Sequence, residues 1–342
     1  MVRRTFTGRF AVALVAASIV TSAGLAPGGS ASASACLSKV LGKKESASAK
    51  VVGELPKRNT SAQDVELVAG NPPALYWKTE ASKPKGVVLC LHELGMHAGR
   101  FEDLGKRMSS DGYAVYATDF RGFGAWRRVA GKDARMDIDR SLEDTRLTLE
   151  AIRKSNPGLP VFLLGEAMGG AMALKVAAQY PNLVQGVVSS APGGEHYKTV
   201  GNYMQVGARV LVGRHNKDAN MAEDLIVMAT PRNSLQQNIK SDPWVRMDLT
   251  PRELMSCQFF MYKTRSFARK IKERPVMIVQ GMKDGESRPE GADKISNVLT
   301  TKNKEMLKVP EGDHFVYQDS TVDDAVVKQT LGFLDKHGTA TY

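Results

Sequence analysis

The hydrophobic pattern alternates between short apolar runs and amphipathic stretches from about residue 64 onward. Short apolar runs bounded by turn residues predict buried strands, and apolar residues at every third or fourth position predict helices that cover a sheet. The predicted strands are a hairpin of 65–68 and 74–78, followed by 86–91, 113–118, 161–165, 184–189, 276–281 and 306–309. The predicted helices are 101–110, 141–154, 169–179, 292–299 and 322–337. This order predicts an α/β fold whose central sheet is mostly parallel and has helices on both faces.

The alternation breaks between about residues 193 and 274, in a segment with a helical pattern and many methionines. We therefore predict a core formed by 63–192 and 275–342, with a helical cap insertion formed by 193–274. Such an insertion would lie over the carboxyl ends of the strands, where open α/β sheets bind ligands. The segment is a candidate lid.

The N-terminus has the features of an export signal. Arg3, Arg4 and Arg9 precede an apolar stretch at 10–20, and small residues then lead to Cys36. We predict a signal peptide at 1–35, and hence a periplasmic or extracellular protein, followed by a flexible basic linker rich in Ser and Ala at 36–62. The paired arginines partly resemble a twin-arginine signal, and lipid anchoring at Cys36 is the alternative to simple cleavage. No later segment reaches the ~18 apolar residues of a membrane span, which leaves at most peripheral membrane contact.

Composition and charge exclude several classes of protein. The 342 residues carry a formal net charge of +11, 42% hydrophobic residues and three widely spaced cysteines. This is a globular composition, and the cysteines form neither a disulfide framework nor a zinc motif. The basic residues follow no nucleic-acid-binding pattern, so we predict no nucleic acid partner.

The most informative motif is a strand, a sharp glycine-rich turn and a helix around residue 167. The strand 161–165 runs into Gly165, Glu166, Ala167, Met168 and Gly169. A nucleophile elbow of the form G-x-S-x-G needs small residues two before and two after its centre, because the strand must turn abruptly into the helix. Here the centre is Ala167, which has no hydroxyl group for attack on a carbonyl carbon.

Two residues downstream complete the order nucleophile, acid, base that this kind of elbow requires. Asp284 follows the predicted strand 276–281, and His314 follows the last predicted strand. Asp313 is interpreted as a turn residue, because a side chain cannot easily reach the ring of its own neighbour. The structural alternatives are a helix cap for Asp284 and a surface histidine for His314.

The loop after the strand 86–91 is interpreted as an oxyanion loop. The backbone N–H groups of Leu94 and Met168 would then stabilise the developing negative oxygen. His92 and His97 are five residues apart around a glycine, whereas a zinc-binding H-E-x-x-H motif places its histidines four apart on one helical face. We therefore predict no metal and no other cofactor, and we interpret His92 as a structural residue bonded to the backbone.

Together these motifs resemble the α/β-hydrolase superfamily, and within it the branch of monoacylglycerol lipases, lysophospholipases and serine aminopeptidase-type hydrolases. The resemblance extends from about residue 86 to residue 337, and the cap is only loosely matched. The matching segments are 92–101, 119–124, 164–170, 241–243, 280–284 with Pro289 and Gly291, and 311–314.

The resemblance implies hydrolysis of a carboxylic ester by residue 167 as nucleophile, His314 as base and Asp284 as the residue that orients it. It implies a small-molecule acyl ester or lipid as substrate, such as a monoacylglycerol, a lysophospholipid or another medium-to-long acyl ester. Amide chemistry, as in related peptidases, stays open. Met255, Phe259 and Phe260 are candidates for an acyl pocket in the cap.

Two residues depart from the family pattern. Ala167 stands where family members have Ser, and Glu93 where they usually have Gly. Either the nucleophile of an enzyme was replaced in the laboratory, or the chain is a natural pseudohydrolase that binds lipids or esters without cleaving them. In both cases we expect the chain to be inactive or nearly so. We expect the Glu93 side chain to point to solvent or to His97.

The export signal makes a prediction that intact-mass measurement can check. After expression of the full chain in a bacterium, the mature protein should begin at or near Cys36, because signal peptidase cleaves after small residues. A diacylglyceryl adduct on Cys36 would establish lipid anchoring instead. Retention of Met1 would contradict the export signal.

Overall fold

An eight-stranded sheet organises the part of the chain that the computed structural model describes, residues 55–128, 135–193, 195, 219–220 and 222–339. Its strands lie in the order β1-β2-β4-β3-β5-β6-β9-β10. They are β1 (Gln63–Val65), β2 (Ala74–Trp77), β3 (Gly86–Leu91), β4 (Tyr113–Thr118), β5 (Val161–Glu166), β6 (Gly186–Ser190), β9 (Val276–Gly281) and β10 (Lys304–Val309). The six strands from β4 to β10 in this order are parallel, and β1 and β2 pair antiparallel at one edge.

The α-helices of the described residues lie between and after these strands along the chain. They are α1 (Glu102–Ser110), α2 (Ile138–Ser155), α3 (Met168–Gln179), α4 (Ala222–Ala229), α5 (Asn233–Ser241), α6 (Pro251–Tyr262), α7 (Thr264–Ala268), α8 (Pro289–Val298) and α9 (Asp324–Gly338).

The predicted fold class is confirmed. Strands 86–91, 113–118 and 276–281 have the predicted bounds, because each is a continuous apolar run buried on both faces. The final strand begins at Lys304, two residues earlier than predicted, because its first residues are polar and only partly buried. Helix α2 begins three residues earlier than predicted, where the Asp137 side chain accepts the Arg140 N–H and caps the helix.

The sheet separates two hydrophobic clusters, and successive residues of each strand contribute to opposite clusters. In β5, Val161 and Leu163 belong to one cluster, whereas Phe162 and Leu164 belong to the other. This period of two is the geometry of a strand with both faces covered. Helices on both faces complete the burial.

The predicted cap, 193–274, lies partly outside the described residues. Its described part contains a short strand pair, β7 (Ala219–Asn220) and β8 (Asp248–Leu249), followed by helices α6 and α7. Arg246 donates its backbone N–H to the Gly95 carbonyl oxygen at 2.8 Å, so this segment is bonded to the loop that follows β3. Helix α6 begins with a capping box formed by Thr250 and Glu253.

The N-terminal leader predicted at 1–35 lies outside the described residues, as does most of the predicted linker. Its described end, 55–62, packs on the core instead of extending as a flexible segment. Arg58 forms a buried ion pair with Asp119, and its guanidinium lies 4.2 Å from the centre of the Trp244 ring. A buried carboxylate such as Asp119 needs a counter-charge, and the composition of the linker does not reveal this requirement. Among the described residues, we find no helix with the length and apolar character of a membrane span.

The turn between β5 and α3 brings backbone against backbone without room for side chains. A Cβ atom on Gly169 would lie 2.0 Å from the Leu91 carbonyl oxygen, and one on Gly165 would lie 2.2 Å from the Gly169 oxygen. Both distances are far below contact distance, so the start of α3 can approach the end of β3 only with glycine at these positions. The two glycines predicted from the motif are therefore required sterically.

This close approach predicts opposite effects for two glycine substitutions. Gly169→Ala should lower the free energy of unfolding by about 1–3 kcal/mol or prevent folding, because the added methyl group forces the backbone apart. Gly332→Ala, in α9 where a Cβ atom would meet nothing within 4 Å, should raise it by about 0.5–1 kcal/mol. Urea denaturation of the two variants checks both values. A Gly169→Ala protein as stable as the unsubstituted chain would contradict the packing described here.

Candidate active site

Ala167 occupies a strained turn between β5 and α3. Its φ of 47° and ψ of −110° place an alanine in a region that residues with a Cβ atom rarely adopt. Its N–H donates to the Ser190 carbonyl oxygen at 2.9 Å, and its own carbonyl oxygen accepts the Ala171 N–H. Ala167 is 5% exposed. The backbone therefore makes the sharp turn that a nucleophile elbow requires, with alanine at its centre.

Glu166, next to Ala167, fixes the segment that follows His314. The carboxylate is fully buried and accepts the backbone N–H groups of Val316, Tyr317 and Gln318 at 2.7–3.0 Å, together with the Gln318 amide at 3.1 Å. Burial raises the pKa of Glu166, although these donors oppose the shift. The loop that carries His314 is thereby held against the elbow.

Asp284 and His314, the predicted acid and base, lie within hydrogen-bond distance of each other. His314 Nδ1 lies 2.8 Å from Asp284 Oδ2, and the two residues are 1% and 3% exposed. The other Asp284 oxygen accepts the N–H groups of Glu286 and Ser287 at 2.8 Å, and the Gln280 amide donates to Oδ2. Burial alone would raise the pKa of Asp284, but His314 and these donors lower it. Asp284 therefore stays ionised and orients the imidazole ring.

Two further carboxylates face the opposite nitrogen of His314. Nε2 lies 3.4 Å from Glu93 Oε1 and 3.7 Å from Glu286 Oε2, and makes no hydrogen bond to either. Burial raises the pKa of Glu93 to about 7. Burial alone would lower the pKa of His314, but Asp284, Glu286 and Glu93 outweigh it and raise the pKa well above its usual value.

The expected direction of the Glu93 side chain is wrong on both counts. It is 6% exposed, so it does not point to solvent, and it faces His314 instead of His97. His97 is already engaged: its Nε2 lies 2.9 Å from Asp242 Oδ2, and its Nδ1 accepts the Gly99 N–H.

His92 has the structural role that the sequence analysis assigns to it. Its Nε2 accepts the Phe120 N–H at 2.9 Å, and its Nδ1 donates to the Glu93 carbonyl oxygen at 2.6 Å. Burial lowers the pKa of His92 to about 4, so the ring is neutral and fixes the loop after β3 to the end of β4.

The predicted oxyanion donors lie at the two expected places in the fold. Met168 is the first residue of α3, where backbone N–H groups have no acceptor within the helix. Leu94 is half-buried in a turn in which Met96 donates its N–H to the Glu93 carbonyl oxygen at 3.1 Å. The role of both residues stays a prediction.

The insertion contacts the loops that carry Asp284 and His314. The His314 N–H donates to the carbonyl oxygen of Ala229 at the end of α4. A Cβ atom on Gly285 would lie 2.4 Å from the Met228 carbonyl oxygen, so the loop after β9 also touches this helix. The C-terminal end of α4 therefore forms part of the wall of the site.

Asp313 is the turn residue that the sequence analysis predicts, and it has a second role that was missed. One oxygen accepts the Phe315 N–H at 3.0 Å. The carboxylate also binds the guanidinium of Arg232, which bridges to Asp319 on the other side of the same loop. Arg232 thus joins the start of α5 to the loop that carries His314.

The three acyl-pocket candidates in α6 do not share one surface. Phe260 is buried in the main hydrophobic cluster, where its ring lies 5.5 Å from that of Phe267. Met255 is half-buried, and Phe259 is 62% exposed. Helix α6 thus packs on the core through Phe260, which does not favour a common acyl pocket lined by all three residues.

Three acidic residues of the site were not predicted from the sequence: Glu93 as a neighbour of His314, Glu166 as the anchor of its loop, and Glu286 as a second facing carboxylate. A charged residue inside the predicted apolar strand and turn at 161–167 is the signal that identifies Glu166 as a buried acid with partners. Glu286 lies two residues after the predicted catalytic acid, but its position in sequence gives no sign that it faces His314.

Comparison with known proteins finds relatives among the monoacylglycerol and monoglyceride lipases. Monoacylglycerol lipase of Mycolicibacterium smegmatis is 28% identical over 214 residues, which cover 60% of this chain and 72% of that protein. Human monoglyceride lipase is 35% identical over 117 residues, which cover 34% of this chain and 38% of that protein. The chain thus spans most of the mycobacterial relative but well under half of the human one.

Solved structures show the same fold. Monoacylglycerol lipase of Paleococcus ferrophilus superposes with a TM-score of 0.64 at 23% identity, over 77% of this chain and 98% of that one. A soluble variant of monoglyceride lipase from Saccharomyces cerevisiae, solved with a substrate analogue, superposes with a TM-score of 0.67 at 20% identity, over 84% and 100%. Residues 82–321, well over half of the chain, match the family described as serine aminopeptidase, S33. The chain therefore belongs to the serine aminopeptidase S33 family and has the α/β-hydrolase fold.

Proposed function

We propose that the site acts on carboxylic esters of the monoacylglycerol or lysophospholipid class through the serine-hydrolase arrangement, with Ala167 at the position of the nucleophile. The observation that carries the proposal is the buried Asp284–His314 pair, held beside the elbow by Glu166. Sequence relatives that are monoglyceride lipases support the substrate class.

With a serine at position 167, the chemistry follows from this geometry. His314 Nε2 takes the hydroxyl proton while the serine oxygen attacks the ester carbonyl carbon, and Asp284 stabilises the imidazolium that forms. The alcohol leaves with that proton, and water then hydrolyses the acyl-enzyme by the same route in reverse. With Ala167 the first bond cannot form, so we infer that the chain has at most residual turnover by this route.

Restoring the hydroxyl tests this assignment. The Ala167→Ser variant should hydrolyse short p-nitrophenyl esters at least about a thousandfold faster than the unsubstituted chain, both in buffer with a chelator, because loss of the nucleophile typically leaves only residual catalysis. The matched control is Ala167→Ser with His314→Ala, which should return the rate to that of the unsubstituted chain. Equal activity of the Ala167→Ser protein and the unsubstituted chain would refute the elbow assignment.

A second candidate function is binding of an acyl ligand without cleavage. It is favoured by Ala167 itself, because the fold, the elbow backbone and the Asp284–His314 pair are all preserved around a residue that has no nucleophilic group.

Binding without cleavage predicts a measurable affinity. Calorimetric titration of the unsubstituted chain with a monoacylglycerol or a free fatty acid, below the micelle concentration, should give heat of binding, because apolar contacts with an acyl chain do not depend on the missing hydroxyl. His314→Ala should keep this binding. Absence of heat and of a thermal shift with both ligands, in a folded protein, would argue against a lipid substrate and for short polar esters or amides.

A further inference from the structure

Three potential metal ligands meet at the side of His314 that faces away from Asp284. Glu93, Glu286 and His314 each place one ligand atom within 4.8 Å of the other two. His314 Nε2 lies 3.4 Å from Glu93 Oε1 and 3.7 Å from Glu286 Oε2. We call these three residues the carboxylate–histidine cluster. Ligands of one zinc ion at about 2.0–2.1 Å in tetrahedral geometry lie about 3.4 Å apart, so these distances suit one shared ion.

Two buried polar atoms of this cluster have no hydrogen-bond partner in the described part of the chain. They are His314 Nε2 and Glu93 Oε2, which belong to residues that are 1% and 6% exposed. Buried polar atoms are nearly always paired, so a ligand bound by both of these atoms would satisfy them. They belong to two different segments of the chain, the loop after β3 and the loop after β10, which bring Glu93 Oε1 to 3.4 Å from His314 Nε2.

The acidic groups of the cluster also outnumber their basic partner. Glu166 is satisfied by four donors, and Asp284 by the donors described above and by His314. Among the described residues, by contrast, the ion pairs of Glu93 and of Glu286 are with His314 alone. One imidazole therefore faces two carboxylates, one of them buried. Buried charges of this kind are normally paired or coordinate a metal.

The opposite edge of His314 has the support that metal-binding histidines have. Such a histidine usually donates its second ring N–H to a carboxylate, which fixes the tautomer and the direction of the ring. Here His314 Nδ1 is 2.8 Å from Asp284 Oδ2. One imidazole nitrogen with two carboxylate oxygens is a mixed set that suits Zn²⁺, and three protein ligands are typical of catalytic zinc sites, where water takes the fourth position.

We propose that the carboxylate–histidine cluster binds a divalent transition-metal ion, with Zn²⁺ as the best-matched ion. The hydrolytic step described next rests on the proposed ester substrate, whereas the binding of the metal ion does not. Water on the ion loses a proton to solvent, and the resulting hydroxide attacks the ester carbonyl carbon. The bond to the alcohol oxygen then breaks, and the alcohol leaves after taking up a proton. The net reaction is ester plus water to acid plus alcohol, with water in the role of the serine that Ala167 replaces.

Calorimetry with Zn²⁺ on the full chain, after removal of metal with a chelator, tests the site directly. We expect one ion per chain. Glu93→Gln, Glu286→Gln and His314→Ala should each weaken binding at least tenfold, and Asp284→Asn about 10–100-fold because it orients the ligand His314. Glu305→Gln, a matched substitution of a carboxylate on β10 that pairs with Lys336, should bind Zn²⁺ like the unsubstituted chain.

A spectroscopic measurement keeps the test independent of activity. Co²⁺ in place of Zn²⁺ should give visible d–d absorption typical of a four- or five-coordinate site, and Glu93→Gln and Glu286→Gln should change this spectrum. Circular dichroism establishes that each variant is folded. The proposal is overturned if the folded chain binds no Zn²⁺, or if Zn²⁺ binds equally well to the Glu93, Glu286 and His314 variants.

Activity then separates this proposal from the proposed function. Zn²⁺ should raise ester hydrolysis by the unsubstituted chain and inhibit the Ala167→Ser variant, because the ion occupies the nitrogen that must accept the serine proton. If Zn²⁺ binds through the cluster but neither protein cleaves any ester, the metal site stands and the ester substrate is wrong. If Ala167→Ser cleaves esters and Zn²⁺ does not bind, the ester hydrolase stands and the metal site is wrong.

Discussion

The contact between the start of α3 and the end of β3 is the constraint on which the site depends. Because a Cβ atom on Gly169 would lie 2.0 Å from the Leu91 carbonyl oxygen, the elbow can turn only where glycines allow the two backbones to touch. This approach forces residue 167 to a positive φ and points Glu166 into the protein, where it binds the segment after His314. The strain at Ala167 is sustained by the buried hydrogen bonds on either side of it.

Burial of several acidic groups around one histidine gives the site its electrostatic character. Glu166 and Asp284 are each met by several N–H donors, and such acids fix loops. Among the described residues, Glu93 has no comparable donors, and burial raises its pKa to about 7. Glu93, at the position where the family resemblance implies glycine, is thus a buried acid that faces His314.

Most of the fold follows from the sequence, because buried parallel strands are continuous apolar runs and their turns are marked by glycine. The bounds of 86–91 and 276–281 are predicted correctly for this reason. Asp284 and His314 can be found from their order along the chain, and their 2.8 Å contact follows from the sheet order. Glu93 and Glu286 could not be placed, because they meet across 193 residues and no local pattern records that contact. The packing of Arg58 on Asp119 was missed for the same reason: the partner lies 61 residues away.

Arg232 connects the start of α5 to the loop that carries His314. Its guanidinium is shared by Asp313, immediately before His314, and by Asp319, one residue after the segment that Glu166 holds. Displacing the start of α5 would therefore leave Asp313 and Asp319, which are 3% and 8% exposed, without their counter-charge. A ligand that stabilises the start of α5 in this position would also stabilise this arrangement of the His314 loop, because Arg232 pairs with both acids. Ligand binding beneath the helices and the orientation of the His314 imidazole would then be thermodynamically linked.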